Sequence, residues 1–157
     1  MHETAAVRRI QRRPMVPDDD SFLLALEADR WGADPSDPLV ELQFRARREG
    51  YRLQFPGADD SLVVVDGEPA GRLLIALGPT AHHLVDIALL RRYRGRGVGT
   101  ELMGEVQAAA AAAGVPVDLT VLAGDSALTG WYQRLGFRAV SSGAVHLRLV
   151  WSPAQAR

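Results

Sequence analysis

The chain has no cysteine among its 157 residues. That absence excludes disulfides, thiolate zinc sites and any cysteine nucleophile or thiol-borne acyl carrier. Lysine is missing as well, and all 18 basic residues are arginine. A Walker phosphate loop ends in Gly-Lys-Ser/Thr, so none can form here. An excess of charge of one sign is also lacking. The formal net charge is −1, which argues against a nucleic-acid or anionic-membrane binder. No signal-peptide h-region and no apolar run of membrane-spanning length is present, so a cytoplasmic protein without a membrane partner is expected. Neither a Pro/Gly/Ser-rich linker nor an internal repeat divides the chain. A single domain over residues 1–157 is the expectation, and a hydrophobic content of 47% suffices for one core. Arg8, Arg9, Arg12 and Arg13 cluster, but the run breaks at Pro14 and reads as a solvated strand face. The all-arginine, alanine-rich composition points to a GC-rich coding genome and a bacterial source.

Periodicity and turn signals give the order of elements. Residues 7–13 read as a moderately polar first strand. Pro17-Asp18-Asp19-Asp20 opens a helix that carries Phe22, Leu23, Leu26 and Trp31 on its apolar face. Pro35 and Pro38 open a second helix through Leu39, Leu42, Phe44 and Arg48, closed by Gly50. Residues 61–65 and 71–77 are strands joined at Asp66-Gly67, a strong hairpin signal. Residues 83–90 form the next strand. The helix over 100–113 carries Leu102, Met103, Val106, Ala109, Ala110 and Ala113, and stops at Gly114 with Pro116 beyond. A strand over 117–122, a helix through Tyr132 and strands at 137–141 and 144–151 complete the chain. The order is β-α-α-β-β-β-α-β-α-β-β, an α/β chain with a mixed sheet.

The densest chemical signal is Arg94-Gly95-Arg96-Gly97-Val98-Gly99, placed between a strand and a helix. Strand, glycine-rich turn and helix present unpaired backbone N–H groups to an anion. The glycines permit close approach and unusual turns, and Arg94 and Arg96 add charge where the helix dipole is already positive. A pyrophosphate is the natural guest. Spacing narrows the choice. A dinucleotide fingerprint requires Gly-x-Gly-x-x-Gly, but Thr100 stands where the third glycine should fall. The acid it needs near the end of the next strand is missing too, since Asp118 lies at that strand's start. What fits is Arg-x-x-Gly-x-Gly, read as Arg94, Gly97 and Gly99. A second segment, Asp125-Ser126-Ala127-Leu128-Thr129-Gly130-Trp131-Tyr132-Gln133-Arg134-Leu135-Gly136-Phe137, places Tyr132 four residues before Gly136-Phe137.

Together these segments resemble the acyl-coenzyme A signatures of the GNAT N-acetyltransferase superfamily. The likeness covers residues 84–140 closely and the rest only in order of elements. Asp125 replaces the usual Asn and Leu128 the usual Ala. The resemblance implies a GNAT-like fold in which two parallel strands splay, here those ending at Leu90 and spanning 117–122. It further implies acetyl-CoA as co-substrate, with no metal, held by Ile87, Ala88, Leu89, Arg94, Gly95, Arg96, Gly97, Val98, Gly99, Thr100, Asp125 and Tyr132. The backbone of residues 87–89 would bond the pantetheine amides, with a main-chain N–H facing the thioester oxygen. The expected reaction is direct transfer of acetyl to a primary amine on a small molecule or peptide, with a homodimer possible. The contrasting reading is a non-catalytic acyl-CoA sensing domain on the same fold.

Two residues carry the expected catalysis. Tyr132, by its position in the resemblance, is the acid that protonates the departing thiolate, or else packs on the cofactor or core. A phenol with its ordinary pKa near 10 keeps its proton at neutral pH. Asp86 is a charge inside an apolar strand, which calls for a reason. It either contacts or deprotonates the amine, or is held in a salt bridge or helix-cap contact. His83, earlier on that strand, is the substitute base. His82 and His83 lack metal-site spacing, and His146 reads as structural or solvent-facing. Glu41, Gln43 and Tyr51 lie where such proteins frame the acceptor, and equally read as helix surface. Trp131 reads as core or interface.

Overall fold

The structure, a computed structural model, describes residues 7–153. Its order is β1 (Ile10–Pro14), α1 (Asp20–Trp31), α2 (Pro38–Gln54), β2 (Asp59–Val65), β3 (Glu68–Leu77), β4 (His82–Leu89), α3 (Val98–Ala113), β5 (Val117–Leu122), α4 (Ser126–Arg134), β6 (Arg138–Ser142) and β7 (His146–Trp151). Two 3-10 turns, Pro17–Asp19 and Arg91–Tyr93, are the only additions among the described residues to the order expected from sequence. The seven strands form one sheet in the order β1-β2-β3-β4-β5-β7-β6. By its contacts the chain divides into two compact units. Among the described residues, one runs to Leu74 and adds Asp86–Gly95; the other is Ile75–Val85 and the chain from Arg96 to Pro153.

In the first unit β1 pairs antiparallel with β2, from Ile10↔Val65 to Pro14↔Ser61. Asp66 and Gly67 close the following hairpin with φ of 50° and 83°, the left-handed pair a tight two-residue turn demands. The entry to α1 is fixed by the buried Asp19. Its carboxylate accepts from the Val16 N–H at 2.9 Å and from two Arg13 nitrogens at 2.9 and 2.7 Å. Asp37 caps α2 by accepting from the Leu39 N–H, with Pro38 in the first turn. Leu23, Leu26 and Ala88 form a buried cluster, packed by Met15, Phe22, Phe44 and Leu90.

The expectation that Gly50 closes α2 is wrong: the helix runs on to Gln54. A single helical glycine costs about 1 kcal/mol against alanine, which neighbouring contacts of Arg47, Tyr51 and Arg52 offset. The stop is Phe55, just before Pro56-Gly57. Trp31, expected on the apolar face of α1, is 55% exposed. It lies at the helix's last residue, where its indole N–H donates to Glu27 at 2.9 Å.

In the second unit α3 buries Val98, Leu102, Met103, Val106 and Ala110. Ala109 and Ala113 are exposed rather than on that face. At 100° per residue both lie within the angular span of the buried stripe, but Ala113 is the helix's last residue and Ala110 alone is buried over 107–113. Gly114, with φ of 70°, ends the helix as expected. β5 pairs antiparallel with β7 from Val117↔Trp151 to Leu122↔His146, and β6 pairs with β7 with a register shift between Ala139 and Ser141. Val117, Leu119, Val121, Leu149 and Trp151 are buried. The parallel pairing of β4 with β5 covers His82↔Val117 and His83↔Asp118, although β4 itself continues to Leu89.

Candidate functional site

The site is built from the loop and first turn that begin α3. Gly95 and Gly97 both have left-handed backbone, with φ of 70° and 80°, a conformation that strains any residue bearing a Cβ. Gly97 is the N-cap, and its carbonyl accepts from the Glu101 N–H at 3.1 Å. The N–H groups of Val98, Gly99 and Thr100 therefore lie in the first turn, without intrahelical partners. Val98 is buried at 1% exposure and anchors the turn, while Gly99 is half-buried and Thr100 exposed. Arg96 is exposed. This is a positive helix terminus without a Cβ at its two tightest positions, the arrangement that accepts a phosphate. Arg94 is exposed, and its Nε donates to the carbonyl of Leu89 at 3.0 Å, which ties its guanidinium to the end of β4.

The end of β4 is held tightly on its β3 side. The Leu90 N–H donates to the Ala70 carbonyl at 2.9 Å. A Cβ on Gly71 would lie 2.1 Å from the carbonyl oxygen of Ala88, so only glycine permits this approach. Ile87, Ala88 and Leu89 follow Asp86 here, and the Ala88 methyl is buried against α1. Asp86 is an ion-pair member: both its oxygens lie 3.0–3.1 Å from Nη2 of Arg30, with side-chain exposures of 10% and 23%.

Asp86 and Arg30 belong to a wider ionic network that sequence reading did not find. The buried Glu27 accepts from Trp31 at 2.9 Å and from Arg47 Nε at 3.3 Å. Arg47 Nη1 donates to the Tyr51 hydroxyl at 3.2 Å. Arg72 packs over the Tyr51 ring, 5.4 Å from its centroid, and grips Asp60 through Nε and Nη2 at 2.9 and 2.8 Å. Burial alone would lower the pKa of Arg72. Asp60 by hydrogen bond and charge, with Asp86 and Tyr51 beyond, more than offsets this and raises it above the ordinary value. Arg47 is likewise raised despite burial, by Tyr51 first and then by Glu27 and Asp86. One signal was available in the sequence. Glu27 follows Leu23 by four residues on an apolar helix face, and Arg72 stands before Leu73-Leu74-Ile75 inside a strand.

In the second unit Tyr132 lies on α4 and is 4% exposed. Its ring meets Trp131 and Phe137 edge-on, with centroids 4.8 and 5.5 Å apart. Trp131 is half-buried. Asp125 is the N-cap of α4, accepting from the Leu128 N–H at 3.0 Å. His83 Nδ1 lies 2.8 Å from Asp118, whose other oxygen accepts from Arg148 at 3.0 Å. His82 is buried and His146 exposed. Of the residues expected to frame an acceptor, Glu41 is exposed and paired with Arg45 at 2.6 Å, Gln43 is exposed, and Tyr51 joins the network above. Among the described residues no group of three or more His, Asp or Glu could hold a metal ion, and no helix is long and apolar enough to cross a membrane.

Residues 21–137 match the model of the acetyltransferase (GNAT) family. No curated protein matches the chain in sequence. Solved structures match over nearly all of it. The PaiA N-acetyltransferase from Thermoplasma acidophilum, in complex with coenzyme A, is 15% identical with a TM-score of 0.71, covering 92% of this chain and 99% of its own. An acetyltransferase from Thermus thermophilus is 21% identical with a TM-score of 0.69, covering 91% and 96%. A GNAT family acetyltransferase from Elizabethkingia anophelis, with acetyl-CoA bound, is 16% identical with a TM-score of 0.61, covering 91% and 97%. At these identities the likeness is one of fold.

Proposed function

We propose that this chain, which belongs to the acetyltransferase (GNAT) family, transfers the acetyl group of acetyl-CoA directly to a primary amine. The observation that carries the reading is the first turn of α3, where Gly95 and Gly97 take left-handed backbone and leave the N–H groups of Val98, Gly99 and Thr100 to an anion. Arg94 and Arg96 add charge for the pyrophosphate. The backbone of Ile87, Ala88 and Leu89 bonds the pantetheine arm, and one main-chain N–H there stabilises the oxyanion. Asp125 orders the start of α4, and so the helix that carries Tyr132.

The amine nitrogen attacks the thioester carbon and the C–S bond breaks. Tyr132 gives its hydroxyl proton to the departing thiolate sulfur. The amine's proton leaves through water to Asp86. Arg30 engages both oxygens of that carboxylate, yet a carboxylate has about four lone-pair directions, so each oxygen retains room for a water or an ammonium. Amide and free coenzyme A are the products. Two coenzyme A complexes among the similar folds support the co-substrate.

The test is release of coenzyme A thiol from acetyl-CoA, measured with and without a panel of primary amines. Amine-dependent release with a matching acetylated product is expected. Acetyl-CoA binding without release for any amine would contradict transfer and favour a sensing domain.

A further inference from the structure

The first unit contains a cleft of about 410 Å³ below the C-terminal half of α2. That volume suits a small molecule. Leu23 and Leu74 provide apolar lining, Tyr51 provides a ring, and Arg48, Arg52 and Arg72 provide cations. The two acids of the lining, Asp20 and Asp60, are both engaged. Arg48 holds both oxygens of Asp20, and Arg72 holds both of Asp60. Arg52 pairs with Glu49, which does not line the cleft. Three cations therefore face two acids, and Arg72 grips Asp60 along its Nε and Nη2 edge, leaving Nη1 to a ligand. A buried, pre-held guanidinium is the group that recognises a carboxylate.

We infer that this cleft docks the acceptor, and that the acceptor is an α-amino acid with an apolar or aromatic side chain; the inference rests on the acetyltransferase reading. The charges match in pattern. Arg72 feels the charge of Asp86 as well as that of Asp60, and Asp86 stands two residues before Ala88, which packs on the cleft residue Leu23. An α-amino acid carries opposite charges on adjoining groups, and its carboxylate goes to Arg72 with its amine on the Asp86 side. Its side chain lies over Leu23, Leu74 and Tyr51. Leu23 also packs in the cluster that holds Ala88, one of the three residues whose backbone is assigned to the acyl arm.

Two matched pairs test this: L-phenylalanine against phenethylamine, and L-leucine against isoamylamine, each pair differing only by the carboxylate. kcat/KM is expected to favour the amino acid by tenfold or more. In Arg72→Met the ratio should fall towards one. Should that variant fail to fold, Asp60→Asn combined with Arg72→Met removes the stranded carboxylate, and Arg48→Gln tests the rim in the same direction. A wild-type ratio near one, or an unchanged ratio in a folded Arg72 variant, overturns the assignment while leaving amine transfer intact. N-acetyl-L-phenylalanine, titrated and followed by chemical shifts, separates the two readings. Arg72-dependent binding of this probe, with no turnover of any amine, would sustain the cleft's ligand class and sink the transfer reading. No saturation by the probe at 10 mM, about ten-thousandfold above a micromolar Kd, would overturn the cleft.

Discussion

Tyr132 meets Trp131 and Phe137 with its ring edges, so Tyr132→Phe keeps those contacts and removes only the hydroxyl. If that hydroxyl protonates the thiolate, kcat should fall by roughly 10²-fold. The dissociation constant for acetyl-CoA, measured by calorimetry, should stay within about twofold. Full kcat at saturating substrates would make Tyr132 a packing residue. Asp86→Asn leaves Arg30 without its charged partner and should cost about 1–3 kcal/mol of stability. The amine's kcat/KM should fall further than the loss of folded protein explains, and the acidic limb of the pH–rate profile should change. Stability loss with unaltered kinetics per folded molecule would confine Asp86 to its ion pair, and His83 or water would be the base. Tyr132 and the α3 glycines could be singled out from sequence because short motifs fix their spacing. Arg30 and Asp86 are 56 residues apart, and Arg47 and Glu27 lie on different helices. No periodicity records which arginine meets which acid.

At the scale of elements, every helix and strand was legible in order, and the misplaced boundaries have local causes. Gly50 is a weak breaker inside a helix supported by side-chain pairs, whereas Pro56-Gly57 is the effective stop. The short loops were clear because Asp66-Gly67 and Gly114 need left-handed backbone. Gly71 was not singled out, since its need arises from the neighbouring strand. Gly71→Ala would force a methyl into the Ala88 carbonyl. The expected result is a loss of about 1–3 kcal/mol in chemical denaturation, with weaker acetyl-CoA binding as β4 shifts. Unchanged stability would mean that the strands separate freely. The entry to α1 gives a pH prediction. The Asp19 carboxyl lies below its ordinary pKa of 3.8, first through Arg13 and then through the Val16 N–H. A depressed folded pKa stabilises the fold above the ordinary value, and that stability is lost as the pH falls through the folded value. Asp19→Asn should therefore lower the melting temperature at pH 7 and matter progressively less below about pH 4. An equal deficit at both extremes would assign the effect to packing.

For the whole molecule, composition narrowed the chemistry more than it defined the fold. Without cysteine no thiol can carry the acyl group, and without lysine no Walker loop competes for the glycine-rich turn. Family and co-substrate class were legible because backbone geometry around a phosphate demands glycines at set positions. The acceptor was not, because the cleft proposed for it is assembled from α1, α2, β2 and β3, whose sequences individually read as ordinary amphipathic surface. Calorimetric titration of acetyl-CoA into the wild type and Gly97→Val decides whether the first turn of α3 holds this co-substrate. One-to-one binding by the wild type and at least a tenfold loss in the variant, with its helical circular dichroism retained, is the predicted result. Equal affinity in both folded proteins would contradict it.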